Sequence, residues 1–168
     1  MSNLNNDSVK RVRQALVDAG VGDKAIELTE TARSAAEAAK AVGVEQGAIV
    51  KSLVFTVGNR YVMALVAGDH LCREDQLGRA FNLDGPVVRP SADLVRAVTG
   101  FSIGGVAPVG LVSKLPVVID ASLKRFDKLY AAAGHSHCVF ETSVAELKTL
   151  TGGLMSYAVA APQAPAKG

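Results

Sequence analysis

Apolar residues recur along the chain first at helical and then at strand spacing. Val9, Val12, Leu16 and Val17 predict an amphipathic helix that Asp7 or Ser8 can cap and Gly20 can stop. Ala25 to Thr29 reads as a short strand. Ser34 and Glu37 then have capping-box spacing ahead of an alanine-rich helix ending at Gly43. Val50–Val57 and Tyr61–Ala67 are apolar on both faces and flank Gly58-Asn59, a two-residue turn of the hairpin kind. Such strands belong in the middle of a sheet, covered on both sides.

The second half continues the mixture. Arg73–Phe81 reads as a helix with Leu77 and Phe81 inward, and Val87-Val88 as a very short strand. Ser91 caps a helix carrying Leu94, Val95 and Val98 that ends at Gly100. Leu115–Asp120 is a strand, and Pro116 favours an edge or first-residue position for it. A short helical turn follows over Ser122–Asp127. Leu129–Ala133 and His137–Phe140 form a hairpin, Ser143 and Glu146 open a capped helix that stops at Gly152-Gly153, and Leu154–Ala160 is a final strand. The fold class expected is α/β in the mixed α+β sense: a mixed, largely antiparallel central sheet flanked by helices. Residues 1–160 make one domain, and the Pro- and Ala-rich segment 161–168 reads as a disordered tail.

Composition narrows the function. With 49% hydrophobic residues the 168-residue chain can bury a sizeable core, and a formal net charge of +2 argues against nucleic-acid binding by bulk charge. It does not exclude contact with only the end of an RNA. No stretch is apolar and long enough to span a membrane, and the N-terminal residues do not read as a signal peptide. Two cysteines, Cys72 and Cys138, form no C-x-x-C pair, which favours a cytoplasmic protein with free thiols.

Two features invite chemistry. Lys51 sits near the start of a strand that otherwise looks buried, where its amine must reach water or an anion. The run Thr99–Gly110 has four glycines and no charge, so backbone N–H groups can approach a ligand unobstructed, and Pro108 stiffens its end. On composition alone, a connector between helix and strand is the simpler account of this run, and a snorkelling lysine is an equal account of Lys51. His135, His137 and Cys138 lack a complete metal-ligand set, and His137 sits at a hairpin rim that can face either a cleft or solvent. No nucleophile–base motif is present in the sequence.

The segments Val50-Lys51-Ser52-Leu53-Val54-Phe55, Gly104-Gly105-Val106-Ala107-Pro108-Val109-Gly110 and Leu115-Pro116-Val117-Val118-Ile119-Asp120, in this order and spacing, resemble the YbaK family, whose fold also edits inside bacterial prolyl-tRNA synthetase. The resemblance runs from about Ala25 to Leu150. It implies a free-standing, trans-editing deacylase that hydrolyses the ester of a mischarged tRNA, tRNA(Pro) first, carrying a small wrong residue such as alanine or cysteine. By position it assigns Lys51, Gly104, Gly105, Val106 and Ala107 to catalysis, with backbone N–H groups facing the oxyanion. Ser52, Ser102, Pro108 and His137 fall to substrate binding. It implies no cofactor and no metal. The partner is the acceptor end of tRNA, with prolyl-tRNA synthetase or an elongation factor able to lend affinity. The alternative is a module of the same fold that holds tRNA ends or nucleotides without turnover.

Overall fold

The computed structural model describes residues 2–163. The elements in chain order are α1 (Asp7–Asp18), β1 (Ala25–Glu27), α2 (Ala35–Val42), β2 (Ile49–Val57), β3 (Arg60–Ala67) and β4 (His70–Cys72). There follow α3 (Leu77–Phe81), β5 (Val87–Val88), α4 (Ala92–Thr99), β6 (Val117–Asp120) and β7 (Leu129–His135). The last are β8 (Cys138–Thr142), α5 (Val144–Thr151), β9 (Leu154–Ser156) and β10 (Ala160–Pro162). The helix ends obey local chemistry. Ser34, Ser91 and Ser143 accept the N–H of the residue three positions on, and Gly43, Gly100 and Gly152 close the same helices in the left-handed region.

Among the described residues the main sheet runs β1-β8-β7-β2-β3-β6-β9, with β5 added beside β2, while β10 and β4 form a separate antiparallel pair. The β2–β3 hairpin is antiparallel, and β2–β7, β3–β6 and β6–β9 are parallel, so the sheet is mixed as expected. The hairpin is covered on both sides. Met63 and Leu65 pack with Val9, Val12 and Leu16 of α1, and with Phe101, Leu129 and Phe140. Val62, Ala64 and Val66 face the other way, onto Phe55, Leu77, Val118 and Val159. This two-sided burial explains the unbroken apolar runs in β2 and β3.

Three expectations change. The helix read over Arg73–Phe81 is helical only from Leu77, after a 3-10 turn at Glu74–Gln76. Its first residue is drawn toward strand pairing, because the Arg73 N–H donates to the Val159 carbonyl at 2.6 Å and His70–Cys72 pairs with β10. The strand read over Leu154–Ala160 divides into β9 and β10, with Ser156 Oγ accepting the Ala158 N–H at 3.1 Å in the bend between. The segment expected to be disordered from Ala161 begins in β10, and the Gln163 N–H donates to the Asp69 carbonyl at 2.9 Å; residues 164–168 lie outside the described part. Pro116 immediately precedes β6, which is an interior strand between β3 and β9.

Candidate functional site

The main cleft is a split in the sheet. One edge of β2 is taken by β3. On the other edge β7 pairs only with Ile49 and Val50, and β5 only with Thr56 and Val57. Residues 51–55 therefore have no strand on that side. Two features hold the split open. A bulge between Ala132 and His135 bends β7 away, and β5 is only two residues long. The two-residue hairpin turn makes Val57 and Arg60 a hydrogen-bonded pair, so alternation directs the N–H and C=O of Ser52 and Val54 toward the split. The resulting cavity has a volume of about 510 Å³.

Its walls come from four places: the start of α2, the segment Arg89-Pro90, the glycine loop through Ile103, Gly104 and Val106, and the β7–β8 hairpin through His135 and Cys138. The charged residues lining it are Arg33, Lys51 and Arg89; no carboxylate is among the lining residues, and of the three cations Arg89 pairs through Nε with Glu74 Oε2 at 3.4 Å. Such a wall favours an anion. Lys51 is half-buried and donates from Nζ to the His70 carbonyl. Burial holds its ammonium below the ordinary lysine range, against the pull of Asp120 and Asp69. Strand alternation turns Lys51 and Ser52 to opposite faces, yet both line the cleft because it passes through the split. The hydroxyl of Ser52 is buried and has no hydrogen-bond partner among the described residues, an open polar position on the cleft wall.

The glycine loop does not present equivalent donors along Gly104–Ala107. The Gly105 N–H closes a turn onto the Ser102 carbonyl at 3.0 Å. Gly105 also lies against β7 so closely that a Cβ there would stand 2.9 Å from the His135 Cα. Ala107 and Pro108 are buried and do not line the cleft, and Ala107 packs into the core with Phe101. Gly104, at φ +99°, and Val106 do line it. Among the described residues, no acceptor meets the N–H of either. Ser102 stands outside, exposed, with Oγ accepting from Arg96 Nη2 at 2.6 Å.

At the hairpin rim the structure brings His135 rather than His137 to the cleft wall. The His137 N–H donates to His135 Nδ1 at 3.0 Å, and the two rings stack with centroids 5.2 Å apart. Nδ1 is thereby an acceptor, which makes the neutral imidazole with its proton on Nε2 the tautomer that fits. Burial, then the neighbouring His137, holds the His135 pKa below its usual value. No group of three metal-ligating side chains occurs among the described residues. Sequence reasoning missed Arg33 and Arg89 and weighed His135 only as a metal ligand. Arg33 precedes the Ser34 cap and Arg89 precedes Pro90-Ser91, so both stand where a chain enters a helix, but nothing in the pattern shows that those two entries meet.

A model of the aminoacyl-tRNA editing domain matches residues 29–150. The chain is 30% identical over 141 residues to the uncharacterised protein YwhH of Bacillus subtilis, covering 83% of this chain and 88% of that one. It is 29% identical over 122 residues to EbsC of Enterococcus faecalis, a candidate Cys-tRNA(Pro)/Cys-tRNA(Cys) deacylase, covering 71% and 73% of the two chains. It is 32% identical to a proline–tRNA ligase of Trichlorobacter lovleyi over 123 residues, spanning 21% of the ligase. Among solved structures, a candidate trans-editing enzyme for prolyl tRNA synthetase superposes with a TM-score of 0.84 at 38% identity, over 90% of this chain and 96% of the other.

Proposed function

Because the chain belongs to the aminoacyl-tRNA editing domain family, we propose that it hydrolyses the ester joining a wrong amino acid to tRNA, acting in trans. The substrate proposed is tRNA(Pro) bearing a small residue such as alanine or cysteine. The observation that carries this reading is the cleft wall: Arg33, Lys51 and Arg89 without a lining carboxylate, beside the unpaired N–H groups of Gly104 and Val106. The cations suit the phosphates of a 3′ terminus. The two N–H groups suit the negative charge that develops on the ester carbonyl oxygen, where each preorganised donor is worth about 3 kcal/mol.

The nucleophile is a water molecule or the free hydroxyl of the terminal ribose. Attack forms a tetrahedral oxyanion. Its collapse breaks the bond from the carbonyl carbon to the ribose oxygen, which takes a proton as it leaves. Water attack gives the free amino acid directly; ribose attack passes the acyl group to the neighbouring hydroxyl before water completes hydrolysis. Cys138 lines the cleft, but burial pushes its thiol up to about 11, so the thiolate is scarce at neutral pH. Cys138 is therefore a poor nucleophile at neutral pH. Lys51 holds the anion, which compensates its desolvation, and Ser52 Oγ is free to meet the aminoacyl group.

The test is a deacylation panel of tRNA(Pro) charged separately with alanine, cysteine, serine and 2-aminobutyrate. The reading expects turnover of at least one of them. Binding of charged tRNA without loss of the ester from any of the four would replace it with a non-catalytic tRNA-end module.

A further inference from the structure

The helix α1 lies outside the segment matched by the family model, and none of its residues lines the main cleft. It nevertheless touches two of the segments that form its walls, the glycine loop and the β7–β8 hairpin. Arg11 donates from Nη2 to the Gly100 carbonyl at 2.7 Å and from Nε to the Gly110 carbonyl at 3.3 Å. Its guanidinium also lies 5.2 Å from the centroid of the Phe101 ring. Gly100 and Gly110 are the two ends of the glycine loop, so one side chain spans it. One turn earlier, Ser8 Oγ donates to the Gly134 carbonyl at 2.9 Å, in the bulge that bends β7 away from β2.

The glycines at these points record how closely α1 approaches. A Cβ at Gly100 would stand 2.3 Å from Arg11 Nη2, one at Gly110 would stand 3.0 Å from the Arg11 carbonyl, and one at Gly134 would stand 2.8 Å from the Ser8 carbonyl oxygen. All three also have positive φ. The apolar face of α1 docks through Val9, Val12 and Leu16, which are fully buried in the core. Ser8 and Arg11 lie beside that face and reach the bulge and the loop ends with polar contacts.

We infer that Arg11 is a positioning residue that fixes the separation of Gly100 and Gly110, and through it the placement of the Gly104 and Val106 N–H groups. Its two hydrogen bonds reach the ends of the loop from a rigid helix, and the fork geometry of a guanidinium allows one side chain to make both. A small shift of the loop moves the donors away from the reacting carbonyl, where misplacement is costly in rate. The activity readout rests on the deacylase reading; the loop-position readout does not.

The test uses the full chain with Arg11→Met, which keeps an apolar stem and loses both donors, and Arg11→Ala, which leaves room for an added guanidinium ion. Amide hydrogen exchange at the hydrogen-bonded loop amides of Phe101, Gly105, Val112 and Ser113 is expected to quicken about tenfold in Arg11→Met, with α1 and β3 unchanged. Deacylation of the mischarged tRNA is expected to show kcat down about tenfold and KM within about twofold, and millimolar guanidinium is expected to restore part of the rate of Arg11→Ala. Unchanged loop exchange, or exchange that quickens throughout the molecule, would overturn the inference. If the wild type hydrolyses none of the charged tRNAs, the deacylase reading falls, and the exchange comparison still decides the role of Arg11.

Discussion

A single methyl group at Gly105 tests the packing that places the loop. In Gly105→Ala the new Cβ would stand 2.9 Å from both the Cα and the N of His135 and 3.0 Å from the carbonyl carbon of Gly134. These are backbone atoms of the β7 bulge, and Ser8 holds the Gly134 carbonyl from the other side. Carbon atoms in contact settle about 3.5–4.0 Å apart, so the loop must retreat by about 0.5 Å. Gly105 is not in the left-handed region, so the penalty arises from contact alone. Overpacking of this kind costs about 1–3 kcal/mol of stability. Moving the neighbouring donors by the same distance forfeits part of the ~3 kcal/mol each supplies, a loss of about 10- to 100-fold in rate. Gly104→Ala lacks that contact: its Cβ would meet only the Arg33 Cγ, at 3.9 Å, and its penalty is the conformational cost of φ +99°, about 1–2 kcal/mol, borne by a residue that itself carries a proposed donor. Single-turnover hydrolysis of a mischarged tRNA and thermal melting of both variants give the measurement. If Gly105→Ala hydrolyses as fast as wild type and melts at the same temperature, the loop is not seated on β7 as described.

Other consequences follow from the same geometry. Burial holds Lys51 below its unfolded value of 10.5, so between the folded-state pKa and 10.5 the unfolded chain binds more protons and stability rises with pH. The penalty is full below that window and gone above it; wild type should therefore gain stability relative to Lys51→Met as pH rises through it, and parallel unfolding curves would refute the assignment. Burial likewise pushes Cys72 up to about 11, so its alkylation at neutral pH should be slow in the folded protein and quicken sharply in denaturant or near pH 11. Rapid native labelling would contradict the burial. Ser34→Ala removes the cap of the helix that forms one cleft wall and should lower stability by about 1 kcal/mol in a denaturant melt; no change would mean that the cap is not needed.

Local rules made much of this fold legible. The Gly58-Asn59 turn set the register of β2 against β3, the serine caps and glycine stops bounded α2, α4 and α5, and two-sided apolarity placed the hairpin at the centre. What the sequence could not show is contact at a distance. The strand at His70–Cys72 exists because β10 pairs with it, and three residues after a turn carry no strand pattern of their own. Gly105 looked like an open donor, but its N–H is spent on Ser102 and its missing side chain makes room for β7. The choice of His135 over His137 at the cleft depends on the bulge in β7, which no local pattern marked. Arg11 occupies one polar position on an amphipathic helix, and its partners lie about ninety residues away in the chain.

The most direct test is the single-turnover hydrolysis of the mischarged tRNA(Pro) that the panel selects, compared between wild type and Lys51→Ala. The split-sheet cleft as the site of reaction predicts rapid loss of the ester with wild type and a rate at least about 100-fold lower in the folded variant. Hydrolysis at an equal rate by the two proteins would contradict it.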